Sequence, residues 1–430
     1  MKAIKNVKIY DFNEYHEDMY VVFDREIIKV GKMNEYTNNN YVEIDASNKL
    51  LMPGLINGHS HIYSTFARGL NVPFNPKSFV ELLEQLWWKL DRNLTNEMTY
   101  YSGIVSGVEY LKNGVTTIID HHASGEILGS LDALKESVSN EVGLRGIFCF
   151  ETSDRFDVDE CIKENIQFSS TNRTSKISGL FGMHAAFTLS NESLSKISKI
   201  LDSPVHIHVA ESIEDQQISF EKYNQNIVTR LYDYDLIKED SIITHAIYVN
   251  PEEVEIIKKQ KAVVALNVTS NMNNAVGLPN YQLFKEYGVQ VIIGNDGIGH
   301  SMTSEYKNLY YSMHHMMQSP TLFSFEDLVS IINSTYNYAS RILNTKLGQI
   351  KTGYQADLLL LDYSNPTPIN ENNIFGHLFF GLFDNFRPTD VFIEGNQVLH
   401  NSEVNNDLKN KFNKAKDIAE KLWNKIEKEG

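Results

Sequence analysis

The chain has 430 residues, a formal net charge of -16, 42% hydrophobic residues and 22% charged residues. This balance is ordinary for a globular protein, and the acidic excess argues against a nucleic-acid or anionic-membrane partner, because such partners require clustered Lys and Arg. No apolar run reaches the roughly 18 residues that a bilayer crossing needs. The two cysteines, Cys149 and Cys161, offer no disulfide framework, so we expect a reduced, cytoplasmic protein.

Short apolar bursts separated by turn-prone residues occupy both ends of the chain. Residues 7–10 and 20–23 are examples near the amino terminus, and residues 357–361 are a matching burst near the carboxyl terminus. Neither end has enough strands to stand alone, because an isolated sheet would expose its edges. We therefore predict one composite β-sandwich built from residues 1–52 and 348–402.

Between these ends, residues 53–347 alternate apolar bursts with helix-length segments. Residues 77–94 have helical spacing, and Thr95 is a predicted N-cap for a helix that runs to Asn113. The eight predicted strands are the residues just before His59 and residues 115–120, 144–150, 180–184, 205–209, 242–245, 263–268 and 289–293. This alternation favours an α/β fold, a (β/α)8 TIM-like barrel. An open doubly wound sheet is the alternative, but no Gly-rich dinucleotide fingerprint follows the first strand.

Residues 403–430 are predicted to form a docked C-terminal helix. Apolar side chains recur there at three- and four-residue steps, at Leu408, Phe412, Ala415, Ile418, Leu422 and Ile426. This stripe is typical of a helix that packs on a domain rather than one that lies in a membrane.

The most informative stretch is residues 51–61, where a turn and a short apolar strand lead to two histidines. Side chains alternate along a strand, so His59 and His61 face the same side. Other predicted strands also end in ionisable side chains, namely His184, His208 with Glu211, His245 and Asp296. The carboxyl ends of barrel strands converge on one side, where active sites lie. We therefore predict that His59, His61, His208 and Asp296 bind one divalent ion, which their donor types suggest is Zn²⁺ or Fe²⁺.

An open metal site of this kind lowers the pKa of its water to about 7, which indicates a hydrolase. Glu211, three residues after His208, is the predicted proton shuttle. His245 is predicted to polarise the attacking water or a substrate oxygen, and Asp296 to accept the proton of the water. A lone buried histidine is often a core residue, and the GNDG segment around Asp296 has a turn explanation. The occurrence of all these residues together favours the catalytic hypothesis.

These segments resemble the amidohydrolase superfamily, and specifically its deaminase/chlorohydrolase branch. The resemblance rests on residues 53–61 (PGLINGHSH), 182–185 (GMHA), 208–211 (HVAE), 244–246 (THA) and 294–297 (GNDG), and it covers nearly the whole chain. Within the branch, HSHIYSTFARGL and FETSDR most resemble the group of aminohydrolases called SsnA, which is associated with selenium-linked purine catabolism. The resemblance implies a single metal ion, zinc or alternatively iron, held by the same four residues.

The resemblance also implies a role for His184 in contacting substrate and for Glu211 in protonating it. Binuclear members of the superfamily carry a carbamylated lysine at the fourth strand, and residues 144–152 and 180–186 contain no lysine, which favours one metal. His121 and His122 are interpreted as pocket or supporting groups rather than further ligands.

Two departures from the family pattern concern the substrate. Asp91 stands where nucleoside deaminases of the branch carry a substrate-holding Glu, and the serine usual after the metal-binding Asp is displaced by a segment ending in His300. A nucleoside substrate is therefore disfavoured. Arg155 is a candidate for binding a substrate anion or carbonyl group.

The leading hypothesis is a metal-dependent aminohydrolase that hydrolyses a purine-related nitrogen heterocycle and releases ammonia.

 

The substrate that this hypothesis names is a small purine-related heterocycle, and the bond cleaved is a C–N bond other than a peptide bond. The alternative is a cyclic amidohydrolase, in which the same activated water opens a ring and the leaving nitrogen stays attached. A non-catalytic barrel scaffold is a third hypothesis, which the presence of Glu211, His245 and Asp296 disfavours. A homodimer is expected by analogy with the family.

Overall fold

The computed structural model describes residues 1–429, whose strands fall into three stretches of the chain. The N-terminal strands are β1 (Lys2–Tyr10), β2 (Tyr15–Phe23), β3 (Ile27–Lys32), β4 (Val42–Asp45) and β5 (Lys49–Pro53). The central strands are β6 (Leu55–Ser60), β7 (Val115–His122), β8 (Arg145–Phe150), β9 (Ile177–Gly179), β10 (Phe181–Ala185), β11 (Val205–Val209), β12 (Ile242–His245), β13 (Val263–Leu266) and β14 (Gln290–Ile293). The C-terminal strands are β15 (Leu358–Asp362), β16 (Asp390–Ile393) and β17 (Asn396–Leu399).

Helices separate most of the central strands and close the chain. The α-helices are α1 (Phe79–Leu82), α2 (Trp88–Asp91), α3 (Asn96–Lys112), α4 (Ser130–Leu134), α5 (Val158–Thr171), α6 (Asn191–Ser198), α7 (Ile213–Tyr223), α8 (Ile227–Asp233), α9 (Pro251–Lys259), α10 (Val268–Asn273), α11 (Tyr281–Tyr287), α12 (Met302–Met317), α13 (Phe325–Ile342), α14 (Ile374–His377) and α15 (Asn406–Glu429). Turns of π-helix follow α1, α4 and α14, at Leu83–Trp87, Lys135–Glu141 and Leu378–Leu382. Turns of 3-10 helix lie at Met33–Glu35, Ile62–Ala67, Ala186–Thr188 and Phe383–Asn385.

The eight predicted central strands are all present, and β9 is an additional short strand. They form two parallel sheets, ordered β6-β7-β8-β9 and β10-β11-β12-β13-β14. Isolated parallel bridges pair Ser60 with Asp296 and Thr152 with Met183, so each sheet contacts the other near the ends of these strands. Most strand residues are buried on both faces, as expected for parallel strands covered by helices. The predicted α/β class is therefore confirmed.

Strands from both ends of the chain share one mixed sheet, ordered β17-β16-β15-β5-β1-β2-β3, with β4 paired to β1. The junction is the antiparallel pairing of β5 with β15. Arg145 at the start of β8 is fully buried and attaches this sheet to the parallel strands, because its Nε donates to Asp357 Oδ2 at 2.6 Å and its Nη2 donates to Gln355 Oε1 at 2.9 Å. Neither end of the chain therefore completes the sheet alone.

One predicted helix is interrupted in the structure. Residues 77–94 form α1, a π-helical turn and α2 rather than one continuous helix. Residues 213–231, between two of the predicted strands, contain two helices, because Asn224 adopts a left-handed φ of 52° and ends α7. The helix capped by Thr95 is present as predicted, and the Thr95 side chain accepts a hydrogen bond from the Met98 amide.

The C-terminal helix α15 packs beside the residues that follow β6. Its buried side chains Ala415, Ile418 and Leu422 share an apolar cluster with Tyr63 and Phe66. The indole of Trp423 also donates a hydrogen bond to the Phe66 carbonyl at 2.7 Å. Within residues 1–429, no helix combines the length and the apolarity that a membrane span requires.

Candidate active site

Four side chains meet at the carboxyl ends of β6, β11 and β14. The candidate ligand atoms of His59, His61, His208 and Asp296 lie within 4.8 Å of one another. The His61 Nε2 is 3.1 Å from the His208 Nε2 and 3.1 Å from the Asp296 Oδ1, and the His59 Nε2 is 3.6 Å from the same oxygen. The structure thus brings together the four residues that the sequence predicts as metal ligands.

The backbone around this cluster is closely packed and partly strained. A Cβ atom at Gly294 would lie 2.4 Å from the His59 amide nitrogen, so only glycine permits β14 to approach β6 this closely. Asp296 and His245 have φ values of 57° and 70°, in the left-handed region that residues other than glycine seldom adopt. Strain of this kind is typical of functional sites, where the surrounding structure holds side chains in fixed positions.

The outer ring nitrogens of two histidines face backbone carbonyls. The His61 Nδ1 lies 2.7 Å from the His121 carbonyl oxygen, and the His208 Nδ1 lies 2.8 Å from the His184 carbonyl oxygen. A carbonyl only accepts hydrogen bonds, so these Nδ1 atoms carry protons when the rings are neutral. In its neutral form each ring therefore turns an unprotonated Nε2 towards the centre of the cluster, which is the tautomer that a metal ligand needs.

The donor set fits a divalent cation. The His59 Nε2 is buried and has no hydrogen-bond partner within residues 1–429. Burial lowers the pKa of His59 to about 3, which keeps this imidazole neutral. Burial would also lower the pKa of His61, but hydrogen bonding to Asp296 and the charges of Asp296 and Glu151 raise it to about 9. A bound cation would replace the proton on His61 and give the His59 nitrogen a partner.

Glu211 and His245 lie beside this cluster, within reach of Asp296. The His245 Nε2 is 3.4 Å from the Glu211 Oε2 and 3.7 Å from the Asp296 Oδ2, and the three residues form a second group of close donor atoms. The Asn271 side-chain amide donates to the His245 Nδ1 at 2.8 Å. The proton of neutral His245 is therefore on Nε2, facing both carboxylates.

The pKa values of the two carboxylates are shifted in opposite directions. Burial, followed by the charges of Asp296 and Asp215, raises the pKa of Glu211 well above 4.5. Burial would raise the pKa of Asp296 as well, but the nearby His59 and His61 rings lower it well below 3.8. Glu211 is therefore suited to donate a proton and Asp296 to stay ionised, which is how paired carboxylates divide acid and base roles.

His121 and His122 are neighbours on β7 and face opposite sides of the sheet. The His121 Nδ1 lies 3.1 Å from the Glu151 Oε1, and its Nε2 lies 3.0 Å from the His206 carbonyl oxygen, next to the cluster. The His122 Nε2 instead lies 3.4 Å from the Thr99 hydroxyl on α3. Because strand side chains alternate, the structure brings His121 to the site and directs His122 away from it.

A pocket opens over the cluster. Its apolar wall consists of Tyr63, Phe79, Leu83, Trp87, Trp88, Phe187 and Ile298. Trp87, at the end of the π-helical turn, and Trp88, at the start of α2, both line the pocket. His184 lines it as well, with its Nδ1 2.9 Å from the Thr188 hydroxyl. Flat apolar walls above a polar floor suit a small heterocycle.

Asp91 and Arg155 form an ion pair at one wall of this pocket. Arg155 Nη1 and Nη2 donate to the two carboxylate oxygens of Asp91 at 3.2 and 2.9 Å. Asp91 is only 1% exposed, although it lines the pocket. The two residues predicted as separate substrate contacts therefore bind each other.

Two residues of the site were not identified from the sequence. Glu151 directly follows β8, where its carboxylate lies 3.1 Å from His121 and 3.4 Å from His61. The His206 Nε2 lies 2.8 Å from the Nδ1 of His59. The rule that strand ends carry functional groups could have identified Glu151, and alternation along β11 places His206 on the same face as His208.

We expect His206→Ala to weaken divalent-metal binding about 10- to 100-fold, because His59 loses the hydrogen-bond partner that orients its ring. The measurement is competition for Zn²⁺ between the purified protein and a chromophoric chelator. His122→Ala is the matched control, since it removes another buried histidine that lies away from the cluster. Equal Zn²⁺ affinities for the two variants would contradict this role of His206.

Clustered imidazoles and carboxylates at the carboxyl ends of parallel strands are typical of metal-dependent hydrolases. The sequence pattern of the amidohydrolase family matches residues 50–398. The chain belongs to this family, and the family prediction from the sequence motifs is confirmed.

The similar proteins are deaminases and chlorohydrolases. A 5'-deoxyadenosine deaminase of Methanocaldococcus jannaschii is 27% identical over 437 residues, which cover 98% of this chain and 100% of the relative. The structure of a zinc-bound adenosine deaminase from Xanthomonas campestris has a TM-score of 0.82 at 20% identity, covering 97% of this chain and 98% of that one. The structure of the zinc-complexed atrazine chlorohydrolase TrzN from Arthrobacter aurescens has a TM-score of 0.79 at 18% identity, covering 97% and 100%. The resemblance to the SsnA group stays a prediction.

Proposed function

We propose that this protein is a metal-dependent aminohydrolase that removes an amino group from a purine-related heterocycle and releases ammonia. The observation that carries the proposal is the convergence of His59, His61, His208 and Asp296 at the floor of a pocket that Glu211 also lines. The purine assignment is supported by the deoxyadenosine and adenosine deaminases to which the chain is similar.

We assign one divalent ion to these four residues, zinc in the first place and iron as the alternative. The donor set suits either metal, and two similar structures are described as containing zinc. A third group of close donor atoms also lies within 4.8 Å of one another and consists of His61, His121, Glu151 and His208. This group shares His61 and His208 with the four assigned ligands, so the two groups cannot each bind a metal ion independently. The overlap supports a single ion. When bound, the ion supplies the Lewis acidity that activates water at neutral pH.

The remaining steps belong to the side chains. Asp296, held ionised, accepts a proton from the attacking water, whose oxygen forms a bond to the ring carbon that carries the amino group. His245 donates a hydrogen bond from Nε2 to the attacking oxygen. Glu211 delivers a proton to the heterocycle. The bond between the ring carbon and the amino nitrogen then breaks: this nitrogen takes up the remaining proton of the water molecule and leaves as ammonia, and the ring keeps the oxygen as a carbonyl. The proton on Asp296 returns to Glu211, which completes the cycle.

We also propose that the two parallel sheets form one closed (β/α)8 barrel over residues 53–347. The bridges of Ser60 with Asp296 and of Thr152 with Met183 support closure at both junctions. The pairing of β5 with β15 supports a composite sandwich of residues 1–52 and 348–402, and the packing of α15 supports a docked helix over 403–430. A homodimer and a cytoplasmic location stay predictions.

Screening the zinc-reconstituted protein against purines, pyrimidines and their oxidised derivatives tests the proposal. We expect at least one heterocycle to release ammonia in a one-to-one ratio with substrate consumed, measured by a coupled ammonia assay and mass spectrometry of the product. Chelator-treated protein is the control and should lose this activity. A product that gains one water without releasing ammonia would instead show the ring-opening alternative.

A further inference from the structure

Resting on the proposed deamination, we propose that the pocket accepts an uncharged free base and discriminates against nucleosides and phosphorylated compounds, with Arg155 as a specificity-determining residue. Binding a nucleoside requires groups that accept hydrogen bonds from sugar hydroxyls, and binding a phosphate requires cations or backbone amides. The polar groups along the pocket that could play these parts are already engaged with other residues.

The first engaged group is Asp91. Its two oxygens both accept hydrogen bonds from Arg155, in the side-by-side geometry that is the strongest for a guanidinium and a carboxylate. The guanidinium centre lies 4.7 Å from the ring of Trp88 and 4.7 Å from the ring of Phe156. A sugar that took Asp91 as its acceptor would leave a mostly buried guanidinium without its principal partner, which is strongly unfavourable.

The other carboxylates that line the pocket are also engaged. Glu151 lies 3.1 Å from His121, and Asp215 accepts hydrogen bonds from the backbone amides of Glu211 and Ser212 at the start of α7. Glu211 and Asp296 serve the proposed chemistry. No carboxylate among the lining residues within 1–429 is therefore left to hold a sugar diol.

The charge of the pocket opposes anions. Its lining includes five carboxylates and, within residues 1–429, no lysine or arginine. The five are Asp91, Glu151, Glu211, Asp215 and Asp296. Away from the metal ion, a phosphate or carboxylate on the substrate would therefore lie among acidic side chains, and the guanidinium of Arg155 at the pocket wall is already paired with Asp91.

The groups that remain suit a flat base. Trp87, Trp88 and Phe187 offer aromatic surface for stacking, and the indole nitrogen of Trp88 is buried with no hydrogen-bond partner within residues 1–429. An indole N–H only donates, so it can pair with a ring nitrogen or a carbonyl oxygen of the base. Stacking and a few hydrogen bonds are how small pockets recognise heterocycles.

The test compares equilibrium binding of matched bases and ribonucleosides to zinc-loaded Glu211→Gln protein, which turns substrate over slowly. The probes are adenine with adenosine, guanine with guanosine, and cytosine with cytidine, measured by calorimetry. We expect at least one base to bind and its nucleoside to bind at least about tenfold more weakly. Equal or tighter binding of the nucleoside, or no binding of any base, would overturn the inference.

Arg155→Met in the same background tests the role of the ion pair. Freeing Asp91 should shift the base-to-nucleoside affinity ratio at least about fivefold towards the nucleoside. Arg341→Met is the matched control, because it breaks a surface ion pair with Asp240 and should leave the ratio unchanged. An unchanged ratio in folded, zinc-loaded Arg155→Met protein would overturn the role of Arg155. If Arg155→Met fails to fold, the same affinity ratio is measured for Asp91→Asn, which breaks the ion pair but keeps a side chain of the same size beside Arg155. An unchanged ratio in that variant would likewise overturn the role of the ion pair.

Binding and turnover together distinguish a failure of base selectivity from a failure of the proposed deamination. Ammonia release from a nucleoside by the wild-type protein, with equal or tighter nucleoside binding, would support deamination and overturn base selectivity. Selective base binding without ammonia release from any heterocycle would support the inference and count against deamination.

Discussion

Glu211→Gln should retain its metal ion, and its kcat should fall about 10²- to 10⁴-fold. This is the range of rate enhancement that proton transfer by a positioned side chain contributes. The reason is that glutamine has the same shape but cannot deliver a proton, while burial and nearby carboxylates raise the pKa of Glu211, which favours the protonated form that delivers one. Steady-state ammonia release on the substrate found by screening measures kcat. Elemental analysis of the same samples measures the zinc content.

Glu221→Gln on α7 is the control for this prediction. Glu221 is exposed on the same helix that follows the Glu211 segment, so the same chemical change there should leave kcat unaltered. Unaltered kcat in Glu211→Gln would remove Glu211 from its proposed role. A loss of kcat that accompanied a loss of zinc would instead assign Glu211 to metal retention.

His61→Ala should deplete the bound metal and with it the turnover. The His61 Nε2 lies 3.1 Å from both the His208 Nε2 and the Asp296 Oδ1, so its removal takes one donor from the centre of the set. Elemental analysis after dialysis should find about one zinc ion per chain in the wild-type protein and a small fraction of this in the variant. His122→Ala, which removes a buried histidine elsewhere on the sheet, should keep its zinc.

Full zinc occupancy in His61→Ala would contradict the ligand assignment.

The zinc affinity of the wild-type protein should depend on pH. Asp296 and Glu151 raise the pKa of His61 to about 9, so below that pH a metal ion must displace a proton from His61. The apparent zinc affinity of the wild-type protein, measured by chelator competition at a series of pH values, should therefore fall by about tenfold for each pH unit below 9.

The sequence predicted the strands and the metal donors because both follow from local rules. Strands buried on both faces require continuous apolar runs, and these runs were visible at all eight central positions. Parallel strands bring their carboxyl ends to one edge, so the residues after the runs could be placed near one another without coordinates. Local rules failed where a helix is interrupted, as at the π-helical turn Leu83–Trp87, since the helical apolar spacing continues through it.

Amino-acid sequence by itself thus determined the family, the α/β class and the four side chains that meet at one point. Only the tertiary structure decided that Arg155 binds Asp91, 64 residues away, that Glu151 and His206 support the histidines, and that His122 faces away from the pocket. The physical reason is that spacing along a strand or helix fixes which way a side chain points relative to its neighbours. Which distant group it meets depends on how whole elements pack together.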